Sequence, residues 1–332
     1  MTPTNSKNEI PNLLGTPPWN EELLRKCYFQ NFTETREYIQ MKHPGVPVYT
    51  SLKSIRLSLD VFLNAVSDLI SSINRFKGES ARPEFWHRPY RSFVEELEVA
   101  IQRGIASSAM CSMALVDHTR EFSKIYTIPD YDIKLNHYFN ASKEHRFIHS
   151  LRRYITHIKL TKANWMITHS YEGREERQAF FFFRQTDLLK WTDWHSLAKV
   201  YIDEHPEGIN VEELFKHYSS TVKEFHNWLR SSVMDSYGTH ISDYLHYQNL
   251  MKRFEFQSYW NFLLKQAFIP KNVDPYMYLD RYLTKQELES VFSFPHRSKE
   301  QVDRIIELVD EYGACTEEIR NLVYRFFSIK KS

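Results

Sequence analysis

The chain has 332 residues and a mass of 39.9 kDa, enough for one large domain or two ordinary ones with a buried core. Hydrophobic residues at 42% and charged residues at 26% exclude a disordered chain. A net charge of +1 excludes the overall basic excess of many nucleic-acid-binding proteins, so any such binding needs a local patch.

Residues 1–18 read as a flexible lead ending at Pro17-Pro18. Asn20 is placed to cap a helix from Glu21 toward Met41, which His43-Pro44-Gly45 stops. Leu52, Ile55, Leu59, Phe62, Val66, Leu69 and Ile73 recur at helical spacing and predict a helix over Leu52 to Phe76. Gly78 to Pro89 reads as a loop, and Tyr90 to about Ile125 as a long helix free of proline. Pro129 interrupts the pattern, and a further helix is expected between about Ile133 and Leu160. The segments Asn164 to Tyr171 and Gln178 to Arg184 are rich in β-formers and flank the polar turn 172–177, which predicts a hairpin. Helix returns at Asp187, with Leu188, Trp191, Trp194, Ala198 and Tyr201 on its apolar side. His205-Pro206-Glu207-Gly208 reads as a loop and a domain boundary. Helical segments follow at about 210–236, 240–268, 284–293 and 298–328. The expected fold class is therefore mainly α, a multi-helix bundle with one β-hairpin inserted at about 164–184. The expected organisation is the lead 1–18, a helical domain 19–205 and a C-terminal helical region 206–332, either separate or packed on the first.

The familiar site motifs are missing. Only eight glycines are present, with no dinucleotide fingerprint, P-loop, nucleophile elbow or zincin helix. Cys27, Cys111 and Cys315 are odd in number and far apart, which argues against a disulfide framework and for a reducing compartment. The polar N-terminus lacks the apolar core of a secretion signal. No apolar stretch is expected to match a membrane span, so a cytoplasmic protein without membrane contact is expected.

One segment carries a chemical signal. Between Lys143 and Lys162 there are six Lys or Arg residues and three histidines against a single acid, Glu144. Ile148, Leu151, Ile155 and Ile158 form a buried stripe at helical spacing. Arg146, His149, Arg153 and His157 form a second, polar stripe, and Arg152 lies between the two. A near-neutral chain has concentrated positive charge on one helix, which favours a bound anion, with phosphate the obvious candidate.

The string Leu151-Arg152-Arg153-Tyr154-Ile155-Thr156-His157 contains an R-x4-H element at a helix end. It resembles the R-x(4–6)-H signature of the HEPN superfamily. With the hairpin and Trp-rich segment that follow, it is similar to uncharacterised bacterial proteins carrying an Arg-Asn-Tyr-Ile-x-His element. The resemblance covers about residues 50–205, and Arg153 stands where the superfamily usually has a polar residue, often Asn. It implies a small helical bundle and a metal-independent endoribonuclease whose site is shared across a homodimer, with products ending in a 2′,3′-cyclic phosphate and a 5′-OH. It also implies a toxin or phage-defence role. His157 is then the expected proton-transfer group and Arg152 the phosphate contact, with Arg153, His149, Arg146 and Lys159 as substrate-binding residues. RNA is the expected partner, and no cofactor or metal is expected.

Other readings of the same residues stay open. Arg152 and His157 also suit a helix C-terminus, where cations are favoured in any case. His145 and His149 share a face and form a candidate metal pair, though no further ligand joins them. Asp117, His118 and Arg120 read as a solvated patch or as a second wall of the same cleft. The acid-rich stretch 299–318 is a solvated helix face or a cover for the basic helix. A non-catalytic RNA-, nucleotide- or protein-binding module is the alternative function.

Overall fold

Capping and stop signals divide the chain into helices. The computed structural model describes residues 9–157, 164–168 and 178–329. In chain order the helices are α1 (Glu9–Leu14), α2 (Glu21–Gln30), α3 (Phe32–Lys42), α4 (Gly45–Ser80), α5 (Arg91–Ile125), α6 (Tyr131–Leu135) and α7 (Lys143–His157). Strands β1 (Asn164–Thr168) and β2 (Gln178–Phe183) come next, followed by α8 (Gln185–Leu188), α9 (Ser196–Asp203) and strand β3 (Ile209–Asn210). The rest is α10 (Val211–Phe262), α11 (Lys285–Phe292), α12 (Lys299–Val309) and α13 (Glu317–Phe326). The fold is mainly α with an inserted hairpin, as the periodicities predict.

The chain divides into two compact units: Met1–Val46 with Thr239–Ser332, and Pro47–Gly238. This division differs from the boundary expected at the 205–208 loop, for a physical reason. The residues just past that loop pair with β2 in register, Phe183 opposite Ile209 and Phe182 opposite Asn210. They then enter α10, whose Phe215, Tyr218 and Phe225 are buried within the second unit. Part of the expected flexible lead 1–18 is ordered, because Glu9–Leu14 is helical and Ile10 and Leu14 are buried; residues 1–8 lie outside the described residues.

In the first unit, Trp19 donates its backbone N–H to the Tyr247 hydroxyl at 2.7 Å. The buried His43 ring accepts the Gly45 N–H at Nδ1, 3.0 Å, which leaves its Nε2 to donate to Asp243 at 3.1 Å. A separate apolar cluster joins Leu264, Val291, Val302, Ile305, Ile319 and Val323. The helix expected over 298–328 is two helices, because Gly313 adopts φ +65° and Asp310 accepts the N–H groups of Ala314 and Cys315.

The second unit holds the features that position the site. Gly104 of α5 brings that helix so close to α4 that a Cβ there would lie 3.0 Å from Leu69. The hairpin pairs antiparallel, Trp165 opposite Phe181. Ala179, Phe181 and Phe183 face the core, while Phe180 and Phe182 are half-buried, with Lys77 over the first ring and Arg184 over the second. The strand is thus buried on one face and capped by cations on the other.

Two expected helices are broken. The stretch 133–160 is interrupted by a π-turn at Asn136–Asn140 and restarts where Ser142 Oγ accepts the His145 N–H. The stretch from Asp187 breaks after Leu188, where Trp194 donates its indole N–H to the Leu188 carbonyl. Conversely, the break expected near Gly238 does not occur, since a lone glycine weakens a helix without stopping it. The Arg88–Ile125 segment is long and apolar enough to cross a membrane by length and composition alone, which corrects the expectation that no such stretch exists. Its Leu97, Ile101, Ile105 and Phe122 are core residues of the second unit.

Candidate functional site

Helix α7 is amphipathic, and its apolar face fixes the direction of everything else on it. Phe147, Ile148 and Leu151 are fully buried. Phe147 stacks on Trp194 at 5.5 Å, and Tyr154 stacks on the same indole at 5.8 Å. Trp194 therefore belongs to the core. Trp191 is half-buried and carries the Arg153 guanidinium 5.9 Å above its ring.

The basic residues divide into two groups. Arg152 is half-buried and Arg153 is exposed. Among the described residues no carboxylate lies within ion-pair distance of Arg146, Arg152 or Arg153, since Glu144 is held by His217 at 2.8 Å and Glu204 by Lys143. The side chain of His157, and Lys159 entirely, lie outside the described residues, so the expected Arg152–His157 pair has no described geometry.

Arg146 and His149 instead line a cavity of about 240 Å³ within the second unit, bounded by α5, α6 with its π-turn, α7 and α10. His145 lines it too, only 6% exposed, with Nδ1 2.9 Å from the hydroxyl of the buried Tyr218. From α5 come Thr119 and Arg120, and from α10 come Phe225 and His226. Arg120 is thus a second wall of the cleft, paired on its outer side with Asp117 at 3.2 Å. His118 is not part of it, and meets Ser58 at 2.6 Å instead. The rings of His145 and His149 lie 6.4 Å apart, and among the described residues no three His, Cys, Asp or Glu side chains gather as a metal set.

The electrostatics of the cavity are one-sided. Burial, then the charge of Arg146, pushes the His145 pKa down to about 3. Burial lowers the pKa of His149, and Arg146, Arg152, Arg153 and Arg120 all lower it further. Burial also lowers that of His226. All three imidazoles are therefore neutral at pH 7. His226 donates from Nδ1 to the Val222 carbonyl at 2.8 Å, so its Nε2 is an acceptor, 3.1 Å from Thr119 Oγ1. The single hydroxyl proton of Thr119 thus faces two acceptors, that nitrogen and the Leu115 carbonyl at 2.8 Å. Arg146 is under-used as well. Its Nε is buried with no partner among the described residues, and its Nη2 reaches Asn140 only at 3.4–3.5 Å.

Reading the sequence missed His226, Thr119 and Tyr218, which reach the cavity from helices distant in the chain. The mixed polar and apolar run Phe215 to His226 offered no motif to flag them. Compared with known proteins, the chain matches no family model, no curated sequence and no solved structure.

Proposed function

We propose that the protein binds RNA through α7 and is a HEPN-like, metal-independent endoribonuclease acting as a homodimer. The observation that supports this reading is the set of three α7 arginines, Arg146, Arg152 and Arg153, with no carboxylate partner among the described residues. Guanidinium groups left without a counter-charge on one helix suit a phosphodiester, which they contact bidentately. In the proposed reaction the 2′-oxygen bonds to phosphorus as its proton is removed. The P–O5′ bond breaks, and the departing 5′-oxygen takes a proton. His157 transfers the proton, Arg152 holds the developing phosphate charge, and Arg153, His149, Arg146 and Lys159 bind substrate.

The test is cleavage of single-stranded RNA by purified protein in EDTA. The expected products carry 2′,3′-cyclic phosphate and 5′-OH ends, and His157→Ala is expected to slow cleavage by about 10²-fold or more while still binding RNA. Arg152→Ala is expected to weaken RNA binding and reduce the salt dependence of log K by about one phosphate contact. Equal cleavage by wild type and His157→Ala overturns the catalytic assignment. Salt-dependent RNA binding without cleavage selects the non-catalytic binding module.

A further inference from the structure

The α5–α6–α7–α10 cavity holds a buried donor that the described residues leave unused, the Arg146 Nε–H. Two arginines, Arg120 and Arg146, line it with His149 beside them, and Asp132 of α6 is an acid in the same lining. The Arg146 Nε–H has no acceptor among the described residues. A buried guanidinium N–H left unpaired costs free energy unless a ligand or water meets it. Phe139 and Phe225 also line the cavity, their rings in edge-to-face contact with centroids 5.0 Å apart. The floor is polar, made by the Thr119 hydroxyl with its two competing acceptors and by the Tyr218–His145 pair. A space of about 240 Å³ equals roughly eight waters at about 30 Å³ each. That is room for about one nucleoside and too little for two.

We infer that this cavity binds one nucleoside monophosphate, its phosphate on Arg120, Arg146 and His149 and its base packed against the Phe139–Phe225 pair above Thr119. The inference rests on reading α7 as a phosphate-binding helix and adds the unit that it recognises. The same chemistry is offered by a free mononucleotide and by an unstacked nucleotide of a single strand. Binding also moves a proton. His149 faces Arg146, Arg152 and Arg153 of its own helix and Arg120 of α5, and the cavity adds Tyr131 and Asp132 of α6 and Tyr218 and His226 of α10. Burial first, and these arginines second, hold the His149 pKa down; a dianion placed among them offsets the second cause, so binding raises that pKa and favours proton uptake.

Calorimetric titration of the full chain with the four 5′-mononucleotides, their nucleosides, inorganic phosphate and a short single-stranded RNA tests this. At least one mononucleotide is expected to bind saturably, about tenfold or more tighter than inorganic phosphate or its own nucleoside. Arg146→Gln, which removes the charge and the guanidinium fork, and Val116→Phe, which fills the cavity, are each expected to weaken it about tenfold or more. Thermal melts are expected to show both variants folded. The binding heat is expected to differ between buffers of unlike ionisation enthalpy in wild type and to agree in His149→Gln. Inorganic phosphate binding as tightly as the nucleotides, no saturable nucleotide binding, or undiminished binding by both variants overturns the inference. Nucleotide-free protein that still binds and cuts RNA leaves the proposed function standing without the cavity. Nucleotide binding with no RNA binding or cleavage leaves the cavity standing without the proposed function.

Discussion

His145 is neutral in the folded chain because burial and the neighbouring Arg146 both disfavour its charged form. Unfolded, the ring takes its proton near pH 6.5; folded, it resists until about pH 3. A folded pKa below the unfolded one means that stability is full above pH 6.5 and is lost as pH falls through that value toward 3. His145 alone is expected to make the protein about 2 kcal/mol less stable at pH 5 than at pH 7. His149 and His226 add to the loss with the same sign. Urea midpoints at the two pH values check this. His145→Gln is expected to flatten the dependence by about one proton, and an unchanged slope contradicts the account. None of this was legible beforehand. The sequence marks His145 and His149 as neighbours on one helix face but not which ring Tyr218 covers.

At the scale of elements, the apolar stripes were readable and the interruptions were not. Leu151 was assigned to the buried face of α7 by its spacing from Ile148 and Ile155, and it is fully buried. Leu151→Ala is expected to cost about 2–5 kcal/mol, measured by denaturant unfolding, because a cavity replaces a packed side chain. The close approach of α4 and α5 at Gly104 is a tertiary fact that helix periodicity does not encode. A Cβ there meets the Leu69 backbone and side chain at 3.0 Å. Gly104→Val is expected to destabilise by about 1–3 kcal/mol, despite valine's lower intrinsic cost within a helix. The π-turn at Asn136–Asn140 escaped notice because its residues suit an ordinary helix. Its consequence is that Phe139 turns into the core while the Asn140 carbonyl is offered toward Arg146.

For the molecule as a whole, the dividing line runs through a helix and not through the proline-glycine loop. A fragment 19–205 loses the buried α10 residues Leu214, Phe215, Tyr218, Val222 and Phe225. It is expected to lack cooperative unfolding and dispersed amide resonances. A fragment 47–238 keeps that core and is expected to show both. A cooperative 19–205 fragment refutes the division. The acid-rich stretch 299–318 is largely consumed where it stands. Asp303 pairs with Arg320, Glu318 with Lys265, and Asp310 caps the turn before α13.

Hydrophobic periodicity by itself determined the mainly α class, the hairpin and the single strongly basic helix, because each depends on the spacing of residues near in sequence. Only the tertiary structure decided that Arg146 and His149 turn inward beside Thr119, Arg120, Tyr218 and His226. It alone also placed β3 beside β2 and gathered α1–α3 and α11–α13 into one unit. Those arrangements depend on which buried faces meet across long separations in the chain, and local pattern carries no record of that choice.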